Sequence, residues 1–274
     1  MKLCNFFVDG RVHTGVLTAR GVCDLTAAGF RGTLDDIIVS GGLPGVPDAP
    51  CLDPDSLMYA NVTTPSKLVC IGLNYKKHAE ETGGTAPAEP VIFSKFNDAL
   101  SPAGGAVRLP SRSRCYDYEA ELVIVIGRWA DNVSVSEARD YIFGYTCGND
   151  LSARDAQMKS TQWLIGKTYA GFAPAGPFVV TADEFDPDDD HRISCTLNGE
   201  VVQDDFTSGM IFPCDELVSY VSSYTRLAPG DLIFTGTPSG VILGKAKGTR
   251  VWMKKGDVVS VSIDGIGTLT NTMV

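Results

Sequence analysis

The residues best placed to do chemistry lie in CYDYEAELVIVIGR, residues 115–128, where Glu119 and Glu121 sit two apart ahead of an apolar, β-branched run. Strand alternation turns both carboxylates to one side. Like charges side by side on a sheet are destabilising unless a cation holds them, and a divalent ion is the obvious candidate. Asp150, at the end of a Gly-Asn-Asp triplet, offers a third carboxylate. An all-oxygen set of this kind suits Mg²⁺ or Mn²⁺, hard ions that keep coordination positions for water or substrate. By spacing alone, however, a Glu-x-Glu reads more readily as a solvated strand edge. His78 and Glu81, three apart, share one face of a short helix for which Asn74 is the expected N-cap. A lone histidine in that setting is more often structural than catalytic.

The elements that must position these groups are short and strand-rich. Strand-like runs are expected at 3–8, 12–18, 21–25, 68–71, 91–95, 122–126, 143–147, 178–181, 193–197, 232–234 and 258–263. Asn198-Gly199 is a hairpin turn signal. Helices are expected at 34–39, after Asn74, over 134–141, around Arg154, Asp155 and Gln157, and over 213–224. Few helices separate the strands, which predicts an α+β, β-rich fold with mixed or antiparallel sheets rather than a doubly wound one. The Gly- and Pro-rich tract 40–50 reads as a loop. A boundary near 62–63 is expected, with a small N-terminal domain over 1–62 and a catalytic domain over 63–274. Segments 82–89 and 206–210 read as variable loops, the first a candidate lid.

Composition narrows the function classes. The chain has 274 residues, 44% hydrophobic, with a net charge of −10 and a pI near 4.7. That balance argues against nucleic-acid or anionic-membrane surfaces, which need clustered Lys and Arg, and leaves small anionic substrates only a locally basic pocket. The eight cysteines are scattered with no Cys-x-x-Cys pair and are expected to be reduced. The first residues hold too short an apolar run for a secretory signal, and no segment approaches the roughly 18 apolar residues of a membrane span. A cytoplasmic location is therefore expected.

Several motifs in fixed order, IGLNYKKHAEE, DYEAELVIVIG, FGYTCGNDLSARDAQ, GKTYAGFAPAGP, LNGEVVQ and LAPGDLIFTGTPSGV, span about residues 68–240. Together they resemble the fumarylacetoacetate hydrolase family. The resemblance implies a rolled mixed β-sheet domain behind a smaller N-terminal domain, and commonly a homodimer. It implies that Glu119, Glu121 and Asp150 hold the metal, and that His78 with Glu81 activates a water once their helix folds over it. Lys167 and Arg154, by default a solvated loop cation and a helix-surface charge, are implied to turn inward. There they would offset the charge of a 2-oxo acid carboxylate and of an enolate. Gln157 and Thr237, otherwise a helix amide and a turn residue, match substrate-binding positions. One departure is that relatives often carry Asp and Thr where this chain has Ala170 and Gly171. The implied activity is hydrolytic C–C cleavage of acylpyruvate-type acids, with oxaloacetate-type decarboxylation and 2-hydroxydienoate isomerisation as rivals sharing the enolate. Outside the enzyme class, the competing reading is a non-catalytic ligand-binding relative.

Overall fold

The computed structural model describes residues 1–46, 48 and 50–274. Of the expected 40–50 loop, Pro47 and Ala49 lie outside the described residues. The chain opens with strands β1 (Lys2–Val8), β2 (Arg11–Thr18) and β3 (Gly21–Asp24), helix α1 (Leu34–Ser40) and the short β4 (Cys51–Leu52). Next come β5 (Leu68–Gly72), α2 (Lys76–Glu81), β6 (Val91–Lys95), β7 (Leu100–Pro102), β8 (Ala106–Val107), β9 (Tyr116–Asp117) and β10 (Ala120–Ile126). After β11 (Ile142–Asn149) and β12 (Ser152–Ala153) follow two single-turn helices, α3 (Arg154–Gln157) and α4 (Leu164–Lys167), and then β13 (Ala173–Thr181). The last part holds β14 (Arg192–Leu197), β15 (Glu200–Phe206), α5 (Cys214–Tyr224), β16 (Leu232–Phe234), β17 (Val258–Ile263) and β18 (Gly267–Met273).

Among the described residues, an 11-stranded sheet runs β4-β3-β2-β1-β13-β11-β10-β16-β5-β6, with β7 paired to β13. A 5-stranded sheet runs β15-β14-β17-β18-β8. Antiparallel pairs dominate, and β16–β5, β13–β7 and β18–β8 are parallel, so the fold is α+β and strand-rich with mixed sheets. The N-terminal strands join the large sheet directly, since β1 pairs antiparallel with β13 at Leu3↔Val179.

The centre of the large sheet explains itself from β10. All seven of its residues are buried, as its unbroken apolar run requires of a strand covered on both faces. Leu122, Ile124 and Ile126 pack into one core while Val123 and Val125 pack into another. Alternation thus separates two cores with one strand. On α5, Leu217, Val218 and Val221 form the buried stripe, and Asp215 and Glu216 sit favourably in its first turn.

Four local expectations need correction. Asn74 does not cap α2, whose N-cap is Tyr75; its side chain instead ties the corner to neighbouring segments, donating to the Phe212 and Thr235 carbonyls and accepting from the Phe212 N–H. The 134–141 segment is a 3-10 helix, Val135–Tyr141, rather than an α-helix. Residues 200–206 and 267–273 are strands, although the acids of the first and the Thr and Asn of the second mute the apolar alternation. The cysteines are not all reduced: Cys23 and Cys51 are joined in a disulfide, because the β3–β4 register sets them opposite each other.

Candidate active site

The Gly-Asn-Asp triplet builds the site's inner end. Gly148 stands opposite Glu121 across the β10–β11 pair, and a Cβ there would come within 2.4 Å of Val123, so only glycine leaves the strands this close. Asn149 accepts the Glu119 N–H at 3.0 Å, and the Asp150 N–H donates to the Glu119 carbonyl at 2.9 Å. Glu119, Glu121 and Asp150 converge so that one oxygen from each lies within 4.8 Å of the others. Glu119 is 4% exposed and Glu121 1%, which overturns the solvated-edge reading of the pair.

Three buried cations stand among these acids. Lys167 reaches Glu119 at 2.5 Å and Asp150 at 2.7 Å. Arg154 binds Asp117 at 2.9 Å, Glu119 at 2.6 Å and the Gln157 side-chain amide oxygen at 3.0 Å. Lys95 pairs with Asp150 at 2.5 Å and donates to the Leu151 carbonyl at 3.0 Å. Among the described residues the cluster therefore holds Asp117, Glu119, Glu121 and Asp150 against Lys95, Arg154 and Lys167, one carboxylate more than cations. Glu121 is the one without a cationic partner; its bond comes from the Gly236 N–H at 2.9 Å.

Burial raises the Glu121 carboxyl well above its ordinary range, and the charges of Asp150 and Glu119 push it further. For Glu119 burial works in the same direction, but Arg154 and Lys167 outweigh it and hold its carboxyl below the usual range. Burial would depress Lys167 and Arg154, and their acidic neighbours reverse that, keeping both cations charged. A divalent ion fits this donor set: three converging carboxylates, one of which, Glu121, has no cationic partner, and oxygen atoms throughout.

A cavity of about 310 Å³ opens over the cluster, lined by Glu119, Glu121, Arg154, Gln157, Lys167 and Thr237 on its polar side. His78 lines it as well, its Nδ1 2.9 Å from the Glu81 Oε1. The second Glu81 oxygen accepts the Gly240 N–H at 2.9 Å. A carboxylate only accepts, so Nδ1 carries the proton and Nε2 keeps its lone pair for the cavity. The TGTPSG turn links the two halves, touching Glu121 through Gly236 and Glu81 through Gly240. Thr237 accepts a bond from the Gln203 amide at 2.8 Å, which leaves its own hydroxyl hydrogen to donate.

All nine residues expected at the site are brought around one cavity, Asp150 and Glu81 from just behind its lining. Ala170 and Gly171 are not among the residues that line it; Ala170 is exposed and Gly171 occupies a left-handed turn at φ 79°. Sequence reasoning missed Asp117 and Lys95. Asp117 anchors Arg154 and accepts the Ile242 and Leu243 N–H groups. Lys95 ends an apolar strand on the same face as Phe93, so a charged residue in phase with a partly buried aromatic was the available signal.

A family model described as fumarylacetoacetate (FAA) hydrolase C-terminal matches residues 67–274. The chain belongs to the fumarylacetoacetate hydrolase family. It is 47% identical over 220 residues to a fumarylacetoacetate hydrolase domain-containing protein 2 homolog of Dictyostelium discoideum, covering 76% of this chain and 72% of that one. It is 41% identical over 219 residues to a mitochondrial oxaloacetate tautomerase of Xenopus laevis, covering 79% and 68%. Among solved structures, a fumarylacetoacetate hydrolase from Exiguobacterium antarcticum matches with a TM-score of 0.91 at 34% identity, over 100% of this chain and 99% of that one. A 5-carboxymethyl-2-hydroxymuconate delta-isomerase from Mycobacterium smegmatis matches with a TM-score of 0.83 at 32% identity, over 100% and 99%. Among the described residues no helix is long and apolar enough to cross a membrane.

Proposed function

We propose that this family member is a divalent-metal-dependent enzyme that interconverts the keto and enol forms of 2-oxo acids, with Mg²⁺ or Mn²⁺ held by Glu119, Glu121 and Asp150. The observation that carries the reading is a histidine base, oriented by Glu81, facing the same small cavity as the acidic cluster. When bound, the ion would polarise the 2-oxo carbonyl and offset the negative charge of the enolate. The His78 Nε2 takes a proton from C3 of the keto form, and the electron pair left behind delocalises onto oxygen. Protonation of that oxygen by water gives the enol, the hydroxide so formed takes the proton from the His78 imidazolium, and the reverse sequence returns the enol to the keto form. Glu81 stabilises the imidazolium, while Lys167 and Arg154 face the carboxylate and the growing negative charge. Gln157 and Thr237 orient the substrate's oxygens through neutral donors. The names of the tautomerase and isomerase relatives support proton transfer as the net reaction.

Hydrolysis is the second reading, favoured by the same dyad. His78 would then deprotonate a water that adds to a far carbonyl, and the C–C bond would break to release a carboxylic acid and the enolate. The discriminating experiment follows enol absorbance of oxaloacetate and cleavage of acetylpyruvate in parallel, with Mg²⁺ or Mn²⁺ and with chelator. Metal-dependent enol decay without cleavage is expected; cleavage without tautomerisation would replace the first reading with the second. A homodimer belongs to the same proposal and is checked by light scattering.

A further inference from the structure

The polar residues account for only one side of the cavity. The other is formed by Leu73, Phe93, Met158 and Trp163, with Ile71 and Leu243. Its construction is specific. The Trp163 indole lies flat enough on β5 that a Cβ at Gly72 would come within 2.4 Å of the ring, and it meets Phe93 edge-to-face at 5.3 Å. Leu73 sits at φ 58°, a conformation that costs a branched residue energy and persists only where the surroundings impose it. Here the Asn74 clamp fixes the next residue, and the Leu73 side chain faces the cavity.

This side offers no unpaired cation to a second anionic group. The Lys167 Nζ stands 5.0 Å over the Phe93 ring, but it and Arg154 already pair with Asp117, Glu119 and Asp150 and are the two cations that face the near carboxylate. The N–H groups of the adjoining loop are taken too: Thr82 donates to the His78 carbonyl, Gly83 to Glu80 and Gly84 to Ala79. The donors left over, on Gln157 and Thr237, are neutral. A distal carboxylate would thus lose hydration against indole and phenyl with no unpaired cation to replace it. An apolar group would gain dispersion contacts and lose only unfavourable hydration.

We propose that Leu73, Phe93, Met158 and Trp163 form a specificity wall that selects 2-oxo acids whose far end is uncharged and apolar, aryl or alkyl, over those ending in a second carboxylate. The proposal rests on the 2-oxo acid reading of the polar side, which supplies the near end of the substrate. It ranks an arylpyruvate above oxaloacetate for this chain.

The test is equilibrium binding of two unreactive 2-oxo acid mimics, N-phenyl oxamate and N-oxalylglycine, to the Mg²⁺-loaded protein by calorimetry, with turnover of phenylpyruvate enol and oxaloacetate enol measured alongside. N-phenyl oxamate is expected to bind at least tenfold more tightly. Met158→Lys, at an exposed rim position, should narrow or invert that ratio by giving N-oxalylglycine a cation, and Trp163→Leu should weaken the phenyl compound selectively. Equal or tighter binding of N-oxalylglycine to the unaltered protein overturns the wall while leaving the tautomerase reading intact. Preferential phenyl oxamate binding with no turnover of either enol overturns the tautomerase reading and sustains the wall. Binding of neither compound overturns both.

Discussion

The two halves of the site are held in different ways. The acidic floor is set into the large sheet: Glu119, Glu121, Asp150, Lys95, Arg154 and Lys167 are all buried, and each is tied to its neighbours by ion pairs or backbone hydrogen bonds. Helix α2, which carries His78, has six residues and an N-cap without a side-chain bond. It is too short to be stable alone. Besides the packing of buried His78 and Ala79 and the bridge of its N-cap Tyr75 to Met210, its side-chain ties to the rest are the Glu81–Gly240 bond and a Lys77–Asp205 pair at 3.1 Å whose lysine is largely exposed, a kind of contact worth little. On the proposed reading, the difference makes ion binding and proton transfer separable: one would belong to the buried floor, the other to the short helix above it.

Substitutions can break or sharpen that separation. His78→Ala is expected to lower kcat by about 10²–10⁴-fold, the range for a lost general base, while leaving Mg²⁺ affinity unchanged by calorimetry. Loss of ion affinity in this variant would mean that the lid and floor are one unit. Lys95→Met leaves the buried Asp150 without that cation and should cost about 3–5 kcal/mol in denaturant unfolding. An unshifted midpoint would show that the floor is not held by its ion pairs. Glu121→Gln keeps shape and removes a carboxylate ligand; ion affinity should fall by more than the roughly 10–100-fold typical of outer-shell partners, with the fold intact by circular dichroism. Gly244→Ala places a Cβ 2.5 Å from the Glu81 carboxyl and should reduce kcat by less than about 10² while ion affinity holds, which makes it the mildest probe of the lid.

The floor also has a proton signature. Because the Glu121 carboxyl is raised without an ion, it holds its proton to higher pH than an ordinary carboxylate, and ion binding competes with that proton. Affinity should therefore rise with pH until Glu121 is ionised, and calorimetry in buffers of different ionisation heat should register a fraction of a proton released. A pH-independent affinity would contradict the raised carboxyl. The same measurement on Glu121→Gln should show less release.

Much of the floor was legible because its acids sit in ordered motifs, and the β10 run announced a doubly covered strand. What escaped were partners drawn from distant segments. Lys95 and Asp150 are 55 positions apart in the chain, and nothing near Lys95 advertises a carboxylate. Asp117 was visible within DYEAE, but its task, holding Arg154 and a turn over 242–244, depends on contacts the local string does not contain. The second sheet was under-read for a simpler reason. Residues 200–206 carry Glu200, Asp204 and Asp205 on a partly exposed strand, where solvation rather than packing chooses the side chains.

One small feature reaches further than its size suggests. A Cβ on Gly166 would come within 2.4 Å of the Gln157 backbone, so α3 and α4 are pressed together with no room for a side chain between them. The six residues joining these helices, 158–163, are therefore a loop fastened at both ends to one base. Met158 and Trp163, both lining the cavity, are its first and last members. Substitutions in the loop's interior are therefore expected to leave Arg154 and Lys167 in place. If the proposed wall sets substrate preference, the chain keeps that preference on this loop, while the electrostatics of the floor stay on the scaffold beneath it.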